Sequence, residues 1–285
     1  MTGNELAAAR TRRMINTIHG EKSMYGTPEA NFWFVGLEGG NHPTKTELDN
    51  FFAREENLRP IKKYRSLRGQ ICKINKQTNL CDDHPVHKKT YHPCLYSGND
   101  YDAKWQPTYG GYIKMLLSLT QEQWNLNDVK KYQKFALGEI DENITHRSSL
   151  LELYPLDCQR RKAWPYKHMG KIPGLEFLSS GRKYREWALE PEWNKILKLI
   201  DVHQPNYVFV YGKDSIQLAM NNKKLNFSYR DISTKGVAKT IRTGFANLGE
   251  TQLVFARHPT GHTSDIYWKN IATELKSPKE KRMAA

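Results

Sequence analysis

Four short apolar runs punctuate an otherwise polar chain. Phe32-Trp33-Phe34-Val35 runs into a glycine-rich loop, Leu150-Leu151-Glu152-Leu153-Tyr154 stops at Pro155, Asn206-Tyr207-Val208-Phe209-Val210-Tyr211 stops at Gly212, and Leu253-Val254-Phe255-Ala256 runs into Arg257-His258-Pro259. Each is of strand length. Their apolar residues are consecutive more often than alternate, which predicts strands buried on both faces, as in a parallel sheet. Between them the period changes to that of a helix. Residues 5–19, 109–119, 128–137 and 214–220 read as helices, with short helical segments near 46–57. The longest, 184–200, is predicted to turn Trp187, Trp193, Ile196 and Leu197 inward. Ser264 or Asp265 can cap a last helix reaching about 275, and residues 230–244 predict an irregular segment or a hairpin. Buried strands alternating with helices define an α/β chain: a three-layer α/β/α sandwich around a central, mostly parallel four-stranded sheet.

The expected organisation is a single domain over 1–285 without internal repeats. Residues 1–30 form an N-terminal helical segment, 41–106 an irregular basic insertion, and 276–285 a frayed tail.

Composition narrows the partners. Across 285 residues, Lys+Arg 44 against Asp+Glu 30 leaves a net charge of +14, a field that favours polyanions, DNA first among them. A basic soluble surface without a special partner is the alternative. No apolar run approaches the roughly 20 residues of a membrane span. The first thirteen residues lack an apolar signal core. The 4 Cys are irregularly spaced, which suits a reducing compartment. A cytoplasmic monomer that binds DNA and no membrane is therefore expected.

The candidate chemistry lies where the first and last runs end. Gly36-Leu37-Glu38-Gly39-Gly40 delivers a carboxylate, and His258-Pro259-Thr260-Gly261-His262-Thr263-Ser264 delivers an imidazole. In an open parallel sheet, such loops share the carboxyl edge where sites are built.

The order of these motifs resembles the uracil-DNA glycosylase superfamily, whose members carry a Gly-x-Asp/Asn-Pro-Tyr/Gly loop after the first core strand and a His-Pro-Ser-x-x-Ser type loop after the last. Leu95-Tyr96-Ser97 followed by Pro107-Thr108-Tyr109-Gly110-Gly111-Tyr112-Ile113-Lys114 is similar to the family's Phe-Ser and the helix start after it. Leu150 to Leu156 resembles its second strand and Asn206 to Lys213 its third, so the resemblance spans about residues 31–275. It implies a uracil-DNA-glycosylase-like fold and a monofunctional DNA N-glycosylase that flips a base out of the stack. An oxocarbenium-like sugar needs a carboxylate beside it, here Glu38, and the departing base needs a donor, here His258. Gly36, Leu37, Gly39, Gly40, Tyr96 and Glu152 are then expected to hold the base, with Tyr96 stacking on it. Arg257, His262, Thr263 and Ser264 are expected against the DNA, as are Arg160 and Arg161; His262 stands where relatives carry a wedge. For Ser264 a plain helix cap is the first reading and DNA contact the second.

The departures from the family pattern bear on the substrate. Glu38 replaces Asp or Asn, and Gly39 replaces the usual Pro. Glu152 stands where uracil enzymes carry Asn. An ionised carboxylate only accepts hydrogen bonds, so it repels uracil O4 but suits the N4 amine of cytosine. A carboxyl protonated through burial can also donate to cytosine N3. Gly40 stands where a uracil-specific Tyr crowds carbon 5 of the base, so a 5-substituted pyrimidine can enter. Together these residues imply a 5-substituted cytosine, such as the glucosylated hydroxymethylcytosine of phage DNA, and an anti-phage role. The alternative within the family is a uracil or mismatch enzyme of base-excision repair.

No cofactor is expected. Cys81, His84, His87, His92 and Cys94 nevertheless supply enough ligands for a structural zinc, without a Cys-x-x-Cys knuckle. Two readings from other classes remain: a DNA-binding protein without catalysis, and a metal-dependent nuclease.

Overall fold

The computed structural model describes residues 9, 24–25, 28–38, 107–121, 123–133, 148–154, 156, 164, 166–212, 225–235, 239–258 and 264–276. The chain is α/β, built on one mixed sheet. Its strands are β1 (Met24–Tyr25), β2 (Phe32–Glu38), β3 (Ser148–Tyr154), β4 (Tyr207–Tyr211), β5 (Ser228–Lys235), β6 (Lys239–Leu248) and β7 (Thr251–Ala256). Among the described residues four helices of eight or more residues accompany them: α1 (Pro107–Thr120), α2 (Leu126–Gln133), α3 (Gly181–His203) and α4 (Asp265–Lys276). The strand order is β1-β3-β2-β4-β7-β6-β5.

The four apolar runs of the sequence become four adjacent parallel strands. β2 lies between β3 and β4, parallel to both, and β4 is parallel to β7. The sheet is wider than the four strands expected. β1 adds antiparallel to β3, and the 230–244 region forms a hairpin, β5 with β6, that extends the sheet antiparallel to β7.

Alternation along these strands sorts the core onto two faces. Trp33, Val35, Leu151, Leu153, Val208, Val210, Leu253 and Phe255 meet Tyr184, Ala188, Trp193, Ile196 and Ile200 of α3. Phe32, Phe34, Leu150, Phe209 and Val254 meet Ile113 and Leu116 of α1 together with Tyr267, Trp268 and Ile271 of α4. Both faces of the four parallel strands are thus covered, which explains their nearly unbroken apolar character.

Local chemistry sets the helix ends. Ser180 accepts from the Lys183 N–H at 3.2 Å and starts α3, while Gln204 ends it in the left-handed region at φ 48°. At α2, Asn125 Oδ1 accepts from the Asn127 and Asp128 N–H groups, and the Asp128 carboxylate accepts from the Asn125 N–H at 2.7 Å. This reciprocal cap starts the helix at Leu126, ahead of the 128 expected.

Trp187 corrects the sequence reading of α3: it is 41% exposed rather than turned inward. The buried stripe passes through Tyr184 and Ala188. Trp187 sits beside that stripe and stacks on Phe177, with ring centroids 3.9 Å apart. Leu197 is half-buried and packs against the same core.

Of the expected 5–19 helix, only Ala9 is described, and it is helical. The helices at 46–57 and 214–220, the 41–106 insertion and the tail beyond Lys276 lie outside the described residues. Among the described residues no helix is long and apolar enough to cross a membrane.

α3 also steadies the carboxyl end of β3. The Tyr184 hydroxyl, fully buried, accepts from the Leu156 N–H at 3.0 Å, just beyond the strand. Tyr184→Phe strands that buried donor and should lower stability by about 1–3 kcal/mol, measured by urea unfolding. A variant as stable as the parent would mean that the bond does not hold this exit.

Candidate functional site

The crossovers leave β2 in opposite senses. The chain goes from β2 out to β3, then returns past β2 to β4 and on to β7. The carboxyl ends of β2 and β4 therefore flank a topological switch point, where open α/β sheets form their binding crevices.

Register aligns one residue from each parallel strand at this edge. Glu152 pairs with Gly36, and Tyr211 pairs with Ala256. Val35 pairs with Val210, so the next step along both strands sets Gly36 beside Tyr211. By alternation Glu152, Gly36, Tyr211 and Ala256 all belong to the face covered by α1 and α4. They form a row across four strands: a carboxylate, no side chain, a phenol and a methyl group. Glu152 is half-buried, with one carboxylate oxygen shielded from solvent.

The row is tight at its centre. A Cβ on Gly36 would lie 2.6 Å from the Tyr211 hydroxyl oxygen and 3.2 Å from ring atom Cζ. Gly36 is thus glycine because an aromatic side chain of the neighbouring strand lies over it. The sequence reading had placed Gly36 against a base. Tyr211 also meets Tyr112 of α1 at 5.3 Å between centroids, and Tyr112 rests on Phe34 at 4.5 Å.

Two candidate residues lie one step further along the same edge. The backbone of Glu38 ends β2 in register with Tyr154. His258 follows β7 by two residues and is half-buried, its ring nearly perpendicular to Tyr211 at 84° with centroids 4.7 Å apart. Arg257, between β7 and His258, is exposed, and its backbone N–H donates to the Tyr267 hydroxyl at 3.4 Å. That hydroxyl also bonds Thr243 Oγ1 at 2.9 Å. Burial holds the Tyr267 phenol above its ordinary pKa, although its hydrogen bonds work against the shift, so it stays neutral and serves as an anchor.

The far end of the last loop is fixed as well. Ser264 donates to the Thr234 carbonyl and caps α4, with its Oγ 3.4 Å from the Tyr267 N–H. Lys114 of α1 pairs with Asp265 in the first turn of α4 at 2.5 Å. These contacts give Ser264 a structural role that the sequence had weighed against DNA contact.

Of the residues singled out in the sequence, the fold brings Gly36, Glu152 and His258 to one edge and face, with the backbones of Leu37 and Glu38 beside them. Gly39, Gly40, Tyr96, Arg160, Arg161, His262 and Thr263 lie outside the described residues, as do Cys81, His84, His87, His92 and Cys94. Among the described residues no group of three or more His, Cys, Asp or Glu is placed to hold a metal ion. Sequence reasoning missed Tyr211 and Tyr112. The one available signal was that Tyr211-Gly212 ends its apolar run in the same manner as the two loops that were selected.

Comparison of the chain with protein-family models, with curated proteins and with solved structures finds no match. The function of the site is therefore argued from its own residues.

The Gly36–Tyr211 contact can be measured. Gly36→Ala should cost about 1–3 kcal/mol, because the added methyl meets a buried phenol. Adding Tyr211→Phe removes the nearest atom and should recover at least half of the loss in a double-mutant cycle. Strictly additive losses would show that the two positions do not press on each other.

Proposed function

We propose that this protein is a monofunctional DNA glycosylase that flips and excises a 5-substituted cytosine, such as the glucosylated hydroxymethylcytosine of phage DNA. The product is an abasic site and the role is defence against phage. The observation that carries this reading is the alignment of Glu152 with Gly36 and of Tyr211 with Ala256 at the carboxyl edge, with His258 beyond Tyr211 and β2 ending at Glu38. That edge offers groups suited to both ends of a breaking N-glycosidic bond, and they come from separate strands around one switch point.

In this reading Glu38 supports the developing positive charge on the sugar and orients the attacking water. The His258 ring donates to the departing base as negative charge gathers on it. Glu152 accepts from the cytosine N4 amine, and Gly40 leaves room at carbon 5. The net charge of +14 draws the polyanion in, and Arg257, exposed next to His258, supplies a cation for a phosphate. The order of motifs resembling the uracil-DNA glycosylase superfamily supports the same chemistry.

Matched oligonucleotides carrying uracil, thymine mismatches, cytosine and 5-substituted cytosines test the reading, assayed with and without chelator. Excision of substituted cytosine that survives chelator is expected. Glu38→Gln should abolish release while DNA affinity stays within about threefold, and His258→Ala should slow release by about 100- to 1,000-fold. Release of uracil alone would assign the chain to base-excision repair. Strand cleavage that chelator removes would make it a nuclease, and binding without release would make it a DNA-binding protein.

A further inference from the structure

We infer that Tyr211 is the positioning residue of this site: its ring is the wall that sets the orientation of the His258 imidazole. The inference rests on the glycosylase reading for its kinetic consequence, but its geometry is independent of that reading.

Three contacts converge on this side chain. Its hydroxyl lies over the bare backbone of Gly36, so it occupies the place of a side chain on β2. Its ring meets the His258 ring at 4.7 Å, in the perpendicular arrangement that aromatic pairs favour. Tyr112, itself buried and resting on Phe34, backs it from α1. Tyr211 is only 8% exposed and lies among strands and a helix. It is therefore a rigid object touching a residue that is not on a rigid element.

His258 lies beyond the last residue of β7, and an imidazole there has two side-chain torsions to settle. The backbone before it is tied at Arg257 to Tyr267, which limits where the ring begins. The Tyr211 ring limits where it points. A donor that must meet a leaving base gains from such a wall, because a misplacement of about 1 Å can cost about 100-fold in rate. Gly36 belongs to the same device: any larger residue there would displace the Tyr211 hydroxyl and, through the ring, the imidazole.

The experiment compares the full chain with Tyr211→Phe, Tyr211→Leu and Tyr211→Met, the flexible methionine side chain filling the gap should the leucine variant fold poorly. Two readouts are taken on each: single-turnover excision from the substituted-cytosine oligonucleotide, and the ring resonances of His258 in histidine-labelled protein, assigned by their loss in His258→Gln. In the leucine and methionine variants, the maximal single-turnover rate should fall about 100-fold, with the half-saturating concentration within about threefold. The His258 resonances should move toward those of free histidine. Tyr211→Phe keeps the ring and should restore both. In a His258→Ala background, Tyr211→Leu should cost little more, because the two residues act as one unit. Unmoved His258 resonances in both the leucine and methionine variants would overturn the inference, as would a full additional loss in the His258→Ala background. If the unaltered protein releases no base from any oligonucleotide, the glycosylase reading fails, and the resonance comparison alone decides whether Tyr211 orients His258.

Discussion

The parallel pairing of β2 with β4 is the constraint on which the rest depends. Once Val35 stands opposite Val210, Gly36 and Tyr211 must share a level and a face. Neighbouring strands lie about 4.8 Å apart, too close for a phenol to lean across unless the residue opposite is nearly bare. Glycine at 36 satisfies that condition, and the Tyr211 hydroxyl takes the volume released. A one-residue slip would turn Phe34 and Trp33 onto each other's faces and exchange the layers. The register that packs the core is thus the same register that builds the carboxyl edge.

The two faces of the sheet divide the work. The α3 face is closed by large side chains from Trp33 to Phe255, with Tyr184 holding the backbone just past β3. The α1/α4 face is closed in the same way deeper in the sheet, but its row at the carboxyl edge contains Gly36 and Ala256 where the deeper positions hold Phe34 and Val254. Shrinking two of four side chains at one level leaves Tyr211 and Glu152 as the large groups there. The helices that cover this face are tied to the last loop at both of its ends, through Tyr267 near Arg257 and through Lys114 with Asp265.

The sequence disclosed the parts of this arrangement that depend on burial alone. Four strands lie between two helical layers, so Phe32 to Val35 or Leu253 to Ala256 could not be polar, and such runs stand out in a chain rich in Lys and Arg. The edges were less legible. β1 has two residues and no pattern to display, and the β5–β6 hairpin mixes exposed Arg242 and Asp231 with buried Ile232 and Ile241. Trp187 misled because an aromatic near the helical period counts as inward, whereas here it lies beside the buried stripe, stacked on Phe177 and 41% exposed. Within the site, Gly36 and His258 could be named because each stands in or beside a loop signal, and Glu152 because it departs from the family pattern that the chain resembles. Tyr211 could not, because its meaning comes from Gly36 and His258, which lie far from it in the chain and reach it only through strand register.

On the proposed reading, that dependence is what would let the edge hold chemistry. Groups at the ends of separate strands are usually free to drift with their loops, and a donor on a loop is a poor catalyst if its ring wanders. The Glu152–Gly36–Tyr211–Ala256 row lies one pair of residues below Glu38 and His258, about 7 Å along the strands. It belongs to the buried sheet, so its geometry carries the precision of the core. Tyr211 extends that precision upward by one aromatic ring, from β4 to the imidazole of His258 just past β7.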